Sequence, residues 1–296
     1  MFDHAINEVS KFTRPIHSIL RNYGSIEIIP STSTLFFINE EGYALTCKHV
    51  VAGLLQPADQ VNQIYQCYKQ EFSTIPQSGN KKRIAIKNLE NKYGYTNETT
   101  IQVKNSFINC VDKMLPLSYN LHPIYDLAVI KFNGYSSLLC NEFPVFKKDS
   151  SQIKTGEYLC RLGFPFPEFN NYQYNSNLDD IEWLSTGDSS SPIFPIDGMV
   201  TRFAALDGKI SEIEMSSPGL KGQSGGPLFN KEGIVYGMQS STISLHLGFD
   251  IVNKEIAVNN KKKKVSDFSF IHLGRCIHVD VIKDFLKSLN IKFYEE

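Results

Sequence analysis

Residues 222–227 read Gly-Gln-Ser-Gly-Gly-Pro, and this stretch decides how the rest of the chain is interpreted. Its three glycines permit backbone angles that a Cβ would forbid, and Pro227 stiffens the entry into an apolar run typical of a strand. A serine held in such a turn can present its hydroxyl beside backbone N–H groups that point at one spot. Acyl transfer needs this arrangement of nucleophile and donors, although the motif taken alone also fits a plain glycine-rich hairpin turn.

A serine hydroxyl is a poor nucleophile at neutral pH and needs a base, commonly a histidine that a carboxylate orients. Two upstream stretches supply these groups. Residues 43–51, Tyr-Ala-Leu-Thr-Cys-Lys-His-Val-Val, form an apolar strand pattern that leads to His49. Residues 125–132, Tyr-Asp-Leu-Ala-Val-Ile-Lys-Phe, place Asp126 at the start of a strand that should be buried. A buried carboxylate needs a partner, and orienting His49 would provide one.

The order His49, Asp126, Ser224 with long gaps is the order found in chymotrypsin. The histidine motif and the aspartate motif resemble those of trypsin-like peptidases, particularly the HtrA/Deg branch. Residues 222–238, which contain the serine motif and the hairpin after it, resemble the same branch. The resemblance implies an all-β fold, a chymotrypsin-like double antiparallel β-barrel with a short N-terminal helix and a C-terminal helix.

The same resemblance implies a serine endopeptidase that hydrolyses peptide bonds of a protein or peptide substrate through an acyl-enzyme, without a metal or cofactor. His49, Asp126 and Ser224 would be the catalytic triad, and the N–H groups of Gly222 and Ser224 would form the oxyanion hole. Lys48, beside His49, should point away from the cleft, because its charge would lower the imidazole pKa.

We expect three regions along the chain. Residues 1–15 would be an N-terminal helical arm, with a helix over residues 3–13 that ends at Pro15. Residues 16–135 would form the N-terminal barrel with a long insertion at 54–122. Residues 136–296 would form the C-terminal barrel with an insertion at 247–268 and a helix over 279–289. Each barrel should have six strands.

Helical patterns are expected only at the two ends of the chain. Within the long insertion, residues 84–86 and 100–104 resemble short strands, and the basic run at 81–83 resembles a solvated turn. The basic run at 261–264 is expected at a solvated hairpin tip.

Trypsin-like folds line the primary specificity pocket with the residues just before the oxyanion glycine and with a strand opposite. An aspartate six residues before the serine would select Arg or Lys, but Pro218 stands there. We therefore expect a neutral pocket for a small aliphatic or uncharged polar side chain. The residues assigned to this pocket are Pro218, Leu220, Lys221, Gln239, Ser240 and Ser241.

Composition excludes several classes of function. The chain has 296 residues and a formal net charge of -1, so no overall field favours nucleic acid or an anionic membrane. No apolar run has the length of a membrane span, and the N-terminus lacks the pattern of a secretory signal. The six cysteines are expected to be reduced, which predicts a cytoplasmic protein. A metal site at His272, Cys276 and His278 is not expected, because no further ligand cluster completes it.

Three other interpretations stay open. The first is a latent or inactive trypsin-fold binding module. The second is a different acyl hydrolase such as an esterase, although the α/β-hydrolase order of the triad is Ser, Asp, His. The third is a protease that an activating or inhibitory protein partner controls. The chain stops near the predicted C-terminal helix, so no PDZ domain is expected. The resemblance also allows an oligomer, because HtrA-like relatives often form trimers.

Overall fold

The computed structural model describes residues 2–76, 78–113, 116–258 and 261–296. Strands, which are mainly antiparallel, hold more of these residues than helices do. Within these ranges, no helix combines the length and apolar character that crossing a membrane would require. The α-helices are α1 (Asp3–Ser10), α2 (Lys48–Val50), α3 (Ala58–Ser73), α4 (Gly79–Tyr93) and α5 (Val279–Ser288). A π-helical turn (Val51–Leu55) continues α2, and a short 3₁₀ helix covers Ser150–Gln152.

The first sheet has six antiparallel strands in the order β4-β1-β2-β3-β6-β5. Its buried strand residues include Ala128, Val129 and Ile130, which are fully enclosed as the sequence predicted. The strands are β1 (Thr13–Asn22), β2 (Ile28–Phe37), β3 (Tyr43–Thr46), β4 (Thr100–Phe107), β5 (Ser118–Leu121) and β6 (Ala128–Lys131).

The remaining strands belong mainly to the second half of the chain. They are β7 (Val145–Phe146), β8 (Tyr158–Arg161), β9 (Tyr172–Asn175), β10 (Asp180–Trp183), β11 (Ile196–Leu206), β12 (Lys209–Met215), β13 (Pro227–Phe229), β14 (Val235–His246), β15 (Ile251–Val258), β16 (Lys261–Asp267), β17 (Phe270–His278) and β18 (Tyr294–Glu295).

Six of these strands close into a barrel, because β13 pairs with both β8 and β14 and so joins the two ends of the order β13-β8-β11-β12-β17-β14. Strands β7 and β18 extend the sheet beyond β14, while β9–β10 and β15–β16 are separate antiparallel pairs. The predicted all-β class, with a helix near each end, is confirmed.

The insertion between β3 and β4 differs from the sequence prediction. Residues 84–86 and the basic run at 81–83 lie in helix α4, not in a strand and a turn. Helices α3 and α4 bury a small aromatic core of their own against β4, built on Tyr65, Tyr68 and Leu89. The short apolar run at 84–86 did not reveal the helix, but Gly94 did carry a helix-stop signal. It ends α4 in the left-handed conformation, with φ +67.

The N-terminal helix also differs from its predicted length. Helix α1 ends at Ser10, and residues from Thr13 onward belong to β1. Pro15 does not end a helix here but lies inside the strand. It is tolerated because the pairing of β1 with β4 starts only at Ile16, so the missing proline N–H is not needed on that side. The predicted C-terminal helix is confirmed as α5.

Candidate active site

His49 and Asp126 meet because their strands are antiparallel neighbours. Thr46 at the end of β3 pairs with Ala128 at the start of β6, so the residues just outside both strands share one edge of the sheet. The backbone N–H of His49 donates to Asp126 Oδ1 over 2.8 Å, and His49 Nδ1 lies 2.7 Å from Asp126 Oδ2. This two-point contact fixes the imidazole against the carboxylate.

The environment keeps the Asp126 carboxylate charged. Partial burial opposes the charge, but the hydrogen bonds from His49 outweigh it, so the pKa of Asp126 lies below its ordinary value. The exposed fraction falls from 53% for the His49 side chain to 32% for Asp126. The imidazole therefore faces solvent while the carboxylate stands behind it.

Cys47 lies beneath this pair, and one ligand atom each from Cys47, His49 and Asp126 falls within 4.8 Å of the others. Burial, and then the Asp126 charge, raises the pKa of the Cys47 thiol well above its ordinary value. Metal ions bind the thiolate, so a thiol held protonated is a poor ligand. The thiol instead donates to the carbonyl of Gln239 over 3.2 Å. The arrangement is therefore better explained as a hydrogen-bonded His49–Asp126 pair beside a protonated thiol than as a metal centre.

Lys48 points away from the imidazole, as the sequence argument required. Its ammonium donates to the carbonyl oxygens of His122 and Pro123 over 2.8 and 3.2 Å. These carbonyls belong to the loop that leads directly to Asp126. The lysine therefore ties the loop of the carboxylate to the short helix that carries His49.

The serine turn belongs to the barrel in the second half of the chain and packs against the first sheet. Thr34 of β2 donates its N–H to the Ser224 carbonyl over 3.0 Å and its hydroxyl to the Gly222 carbonyl over 2.7 Å. The N–H of Gly225 donates to the Gln239 carbonyl over 2.9 Å, the same oxygen that accepts the Cys47 thiol. These contacts bring the turn beside the edge that holds His49.

The turn leaves backbone donors available. Throughout the described ranges, the N–H groups of Gly222 and Ser224 donate to no acceptor, and the Ser224 hydroxyl forms no hydrogen bond, including to His49. Contacts between nucleophile and base are often long in ligand-free enzymes and tighten with substrate. Two free N–H groups around a half-buried serine match what an oxyanion hole requires.

Gly225 is the tightest position of the turn. Its φ is +91, and a Cβ there would collide with the Thr34 carbonyl and the Thr46 hydroxyl. Gly225→Ala should therefore lower the free energy of unfolding by about 3 kcal/mol or more, measured by urea denaturation. Gly208→Ala is the matched control, because Gly208 has φ +77 but nothing within 4 Å. Equal losses in the two variants would contradict close packing as the cause.

The six residues predicted for the specificity pocket differ in the groups that they contact. The Pro218 carbonyl and the Gln239 side chain converge on the guanidinium of Arg161, which lies within hydrogen-bond distance of both. Leu220 donates its N–H to the Gln223 side chain, and the Lys221 side chain is exposed. The Ser240 hydroxyl is turned to the Arg275 carbonyl, and the Ser241 carbonyl accepts from the Gln239 amide.

Arg161 and Gln223 are the site residues that the sequence analysis missed. Gln223 is fully buried and bridges Leu220 to the carbonyl of Phe194, which braces the turn before Ser224. Arg161 had a signal in the sequence, since it is the one charged residue in the apolar run Tyr-Leu-Cys-Arg-Leu at 158–162. A charged side chain inside a buried strand rarely occurs without a purpose or a partner.

Solved structures of HtrA-type proteases are similar in fold to this chain. The HtrA-type protease AlgW with a tripeptide aligns with TM-score 0.48 and 13% identity, over 98% of this chain and 63% of that chain. The same protease with a decapeptide aligns with TM-score 0.49 and 12% identity, over 97% and 67%. The chain thus spans a little under two thirds of the length of the first of these. No curated protein matches it in sequence.

A family comparison based on sequence gives the assignment. The family described as the trypsin-like peptidase domain matches residues 33–238, which is well over half of the 296 residues. The matched range contains His49, Asp126 and Ser224, and it begins in β2 and ends in β14. The resemblance found in the sequence motifs is therefore confirmed, and the chain belongs to the family of trypsin-like peptidase domains.

Proposed function

We propose that the chain is a serine endopeptidase in which His49, Asp126 and Ser224 act as a catalytic triad. The observation that carries the proposal is the two-point hydrogen bonding of His49 by Asp126. The charged carboxylate accepts the Nδ1–H of the imidazole, which leaves Nε2 free to accept a proton. The family supports peptide bonds as the substrate class.

Each group has a defined part in the proposed reaction. Nε2 of His49 removes the proton of Ser224 as Oγ attacks the carbonyl carbon of the substrate. The N–H groups of Gly222 and Ser224 stabilise the oxygen that becomes negative. His49 then donates the proton to the departing amine, and an acyl-enzyme on Ser224 remains. Water attacks the acyl-enzyme with His49 again as the base, which restores the free serine.

A second function, a latent or inactive trypsin-fold binding module, is favoured by two observations. In the described part of the chain, the Ser224 hydroxyl has no hydrogen bond to His49, and the Gln239 amide is bound to Arg161 and lies against Gly219 in the segment before the serine. A protein partner that rearranges this region would convert the latent form into an active one. We propose such control for this chain only as the alternative to autonomous activity.

Labelling with a fluorophosphonate probe separates the two functions. The probe reacts with a serine only where a base and an oxyanion hole are assembled, and it needs no knowledge of the natural substrate. Wild-type protein should become labelled, whereas Ser224→Ala protein should not. Folded wild-type protein that stays unlabelled would support the latent form and contradict autonomous catalysis.

A further inference from the structure

Arg161 places a positive charge at the base of the expected specificity pocket. It is the last residue of β8, and its side chain is fully buried. Nη2 donates to the Ser217 carbonyl over 3.0 Å, to the Ser217 hydroxyl over 2.6 Å and to the Pro218 carbonyl over 3.1 Å. Nη1 donates to Gln239 Oε1 over 2.7 Å. A Cβ on Gly274 would collide with Nη1, so this strand is also shaped around the guanidinium.

No carboxylate in the described part of the chain neutralises this charge. Among the residues that the structure describes, Arg161 forms no ion pair, and its Nε has no acceptor. The neighbouring Arg275, by contrast, pairs with Glu212 and Glu214. Burial lowers the pKa of Arg161, which reflects the cost of keeping the cation out of water. A buried charge without an opposite charge costs folding free energy. Its presence here therefore favours binding of an anion from outside the chain.

The Gln239 amide occupies the place that such an anion would take. Its Oε1 accepts from Arg161, and its Nε2 donates to the Ser241 carbonyl over 2.7 Å. The amide lies against Gly219, where a Cβ would collide with it. Glutamine has the shape of glutamate without its charge. A carboxylate bound to a guanidinium makes hydrogen bonds about twice as strong as a neutral acceptor does.

We propose that Arg161 selects substrates with an Asp or Glu side chain at the residue whose carbonyl Ser224 attacks. Rotation of the Gln239 side chain admits the acidic group, which replaces its amide on Arg161. This inference rests on the proposed function, because it takes the turn at Ser224 as the catalytic site. It replaces the neutral pocket expected from Pro218, since the selecting charge comes from a strand and not from the segment before the serine.

Cleavage of matched peptides that differ only at the selected residue tests the inference. Peptides with Glu or Asp should be cleaved with a kcat/KM about 10 to 100 times that of the Gln peptide, and Ala and Lys peptides should be poorer than Glu. Gln239→Glu would supply a carboxylate to Arg161 from within the chain. This variant should fold at least as stably as the wild type and should lose the preference for acidic residues.

Two variants of Arg161 separate the effect of its charge on substrate preference from an effect on folding. Arg161→Lys keeps the cation and should keep part of the preference, whereas Arg161→Gln should remove it. Arg83→Gln is the matched control, because Arg83 is exposed on helix α4, and it should leave the preference unchanged. Equal cleavage of Glu and Gln peptides by labelled wild-type protein would overturn the inference and leave the proposed function intact.

Binding to Ser224→Ala protein tests the pocket without catalysis. Short peptides that end in Glu, Gln or Ala mimic the acyl product and can be titrated by calorimetry. The Glu peptide should bind about 10 times more tightly than the Gln peptide, and Gln239→Glu in the same background should abolish the difference. That result, combined with wild-type protein that the probe does not label, would support the pocket while contradicting autonomous catalysis. Equal affinities would overturn the inference.

Discussion

Ser224→Ala is expected to reduce the turnover of a cleaved peptide by about 10⁶-fold, because loss of the nucleophile leaves only binding and oxyanion stabilisation. The fold should not change. Within the described ranges the Ser224 hydroxyl has no hydrogen bond to lose, and the side chain is half-buried. The free energy of unfolding should therefore stay within about 0.5 kcal/mol of the wild type. Steady-state kinetics and urea denaturation on the same preparations measure both quantities.

Ser73→Ala is the matched control for this variant. Ser73 lies in helix α3, and its hydroxyl donates to the Gln70 carbonyl of the same helix. Its removal should leave turnover unchanged. Cleavage by purified Ser224→Ala protein at more than a few per cent of the wild-type rate would show that another residue is the nucleophile. The assignment of the triad would then be wrong even though the family assignment stands.

Asp126→Asn is expected to lower kcat by about 10⁴-fold while preserving the overall geometry. The new amide can still accept the backbone N–H of His49 through its oxygen. It would then present its NH₂ group to His49 Nδ1, which must become an acceptor. The imidazole proton moves to Nε2, and a protonated Nε2 cannot remove the proton of Ser224. Single-turnover cleavage measures this loss directly.

The difference in unfolding free energy between the wild type and Asp126→Asn should depend on pH in a defined direction. The pKa of Asp126 is lowered in the fold, so the charged carboxylate stabilises the protein above the unfolded pKa of about 3.9. This contribution disappears as the pH falls through the folded pKa. The gap in unfolding free energy between the wild type and the variant should thus be largest near neutrality and close in acid.

Asp207→Asn is the control for that measurement. Asp207 is exposed in the turn between β11 and β12 with φ 51, a conformation that asparagine also tolerates. Its replacement should alter neither kcat nor the pH dependence of unfolding. An Asp126→Asn protein that retains most of its activity would mean that the His49–Asp126 contact is structural only.

The sequence was most informative where local backbone chemistry and strand patterns carried the site. The three motifs predicted that His49 follows a strand, that Asp126 precedes a buried one and that Ser224 occupies a glycine turn before a strand. The structure has β3, β6 and β13 at these places. The glycines and the short apolar runs act within a few positions of the chain, so they can be recognised without knowledge of the fold.

The sequence was least informative in the insertion between β3 and β4. Helices α3 and α4 are polar on most of their surface and bury only a narrow aromatic seam. The apolar periodicity of the two helices is weak, because so few of their residues are buried. The surface that buries them includes β4, a strand that follows the helices in the chain. Short apolar runs such as 84–86 fit a strand and a helix equally well until the partner surface is known.

The sequence by itself determined the family, the all-β class, the order of the candidate triad and the C-terminal helix. Only the tertiary structure brought Arg161 to residues that the sequence assigned to the specificity pocket. Arg161 lies 57 residues before Pro218 and 78 before Gln239, and the closed barrel brings their groups within hydrogen-bond distance. A charge acts through space and not along the chain. Its effect on a pocket is fixed by which strands the barrel makes neighbours, and local sequence patterns do not contain that information.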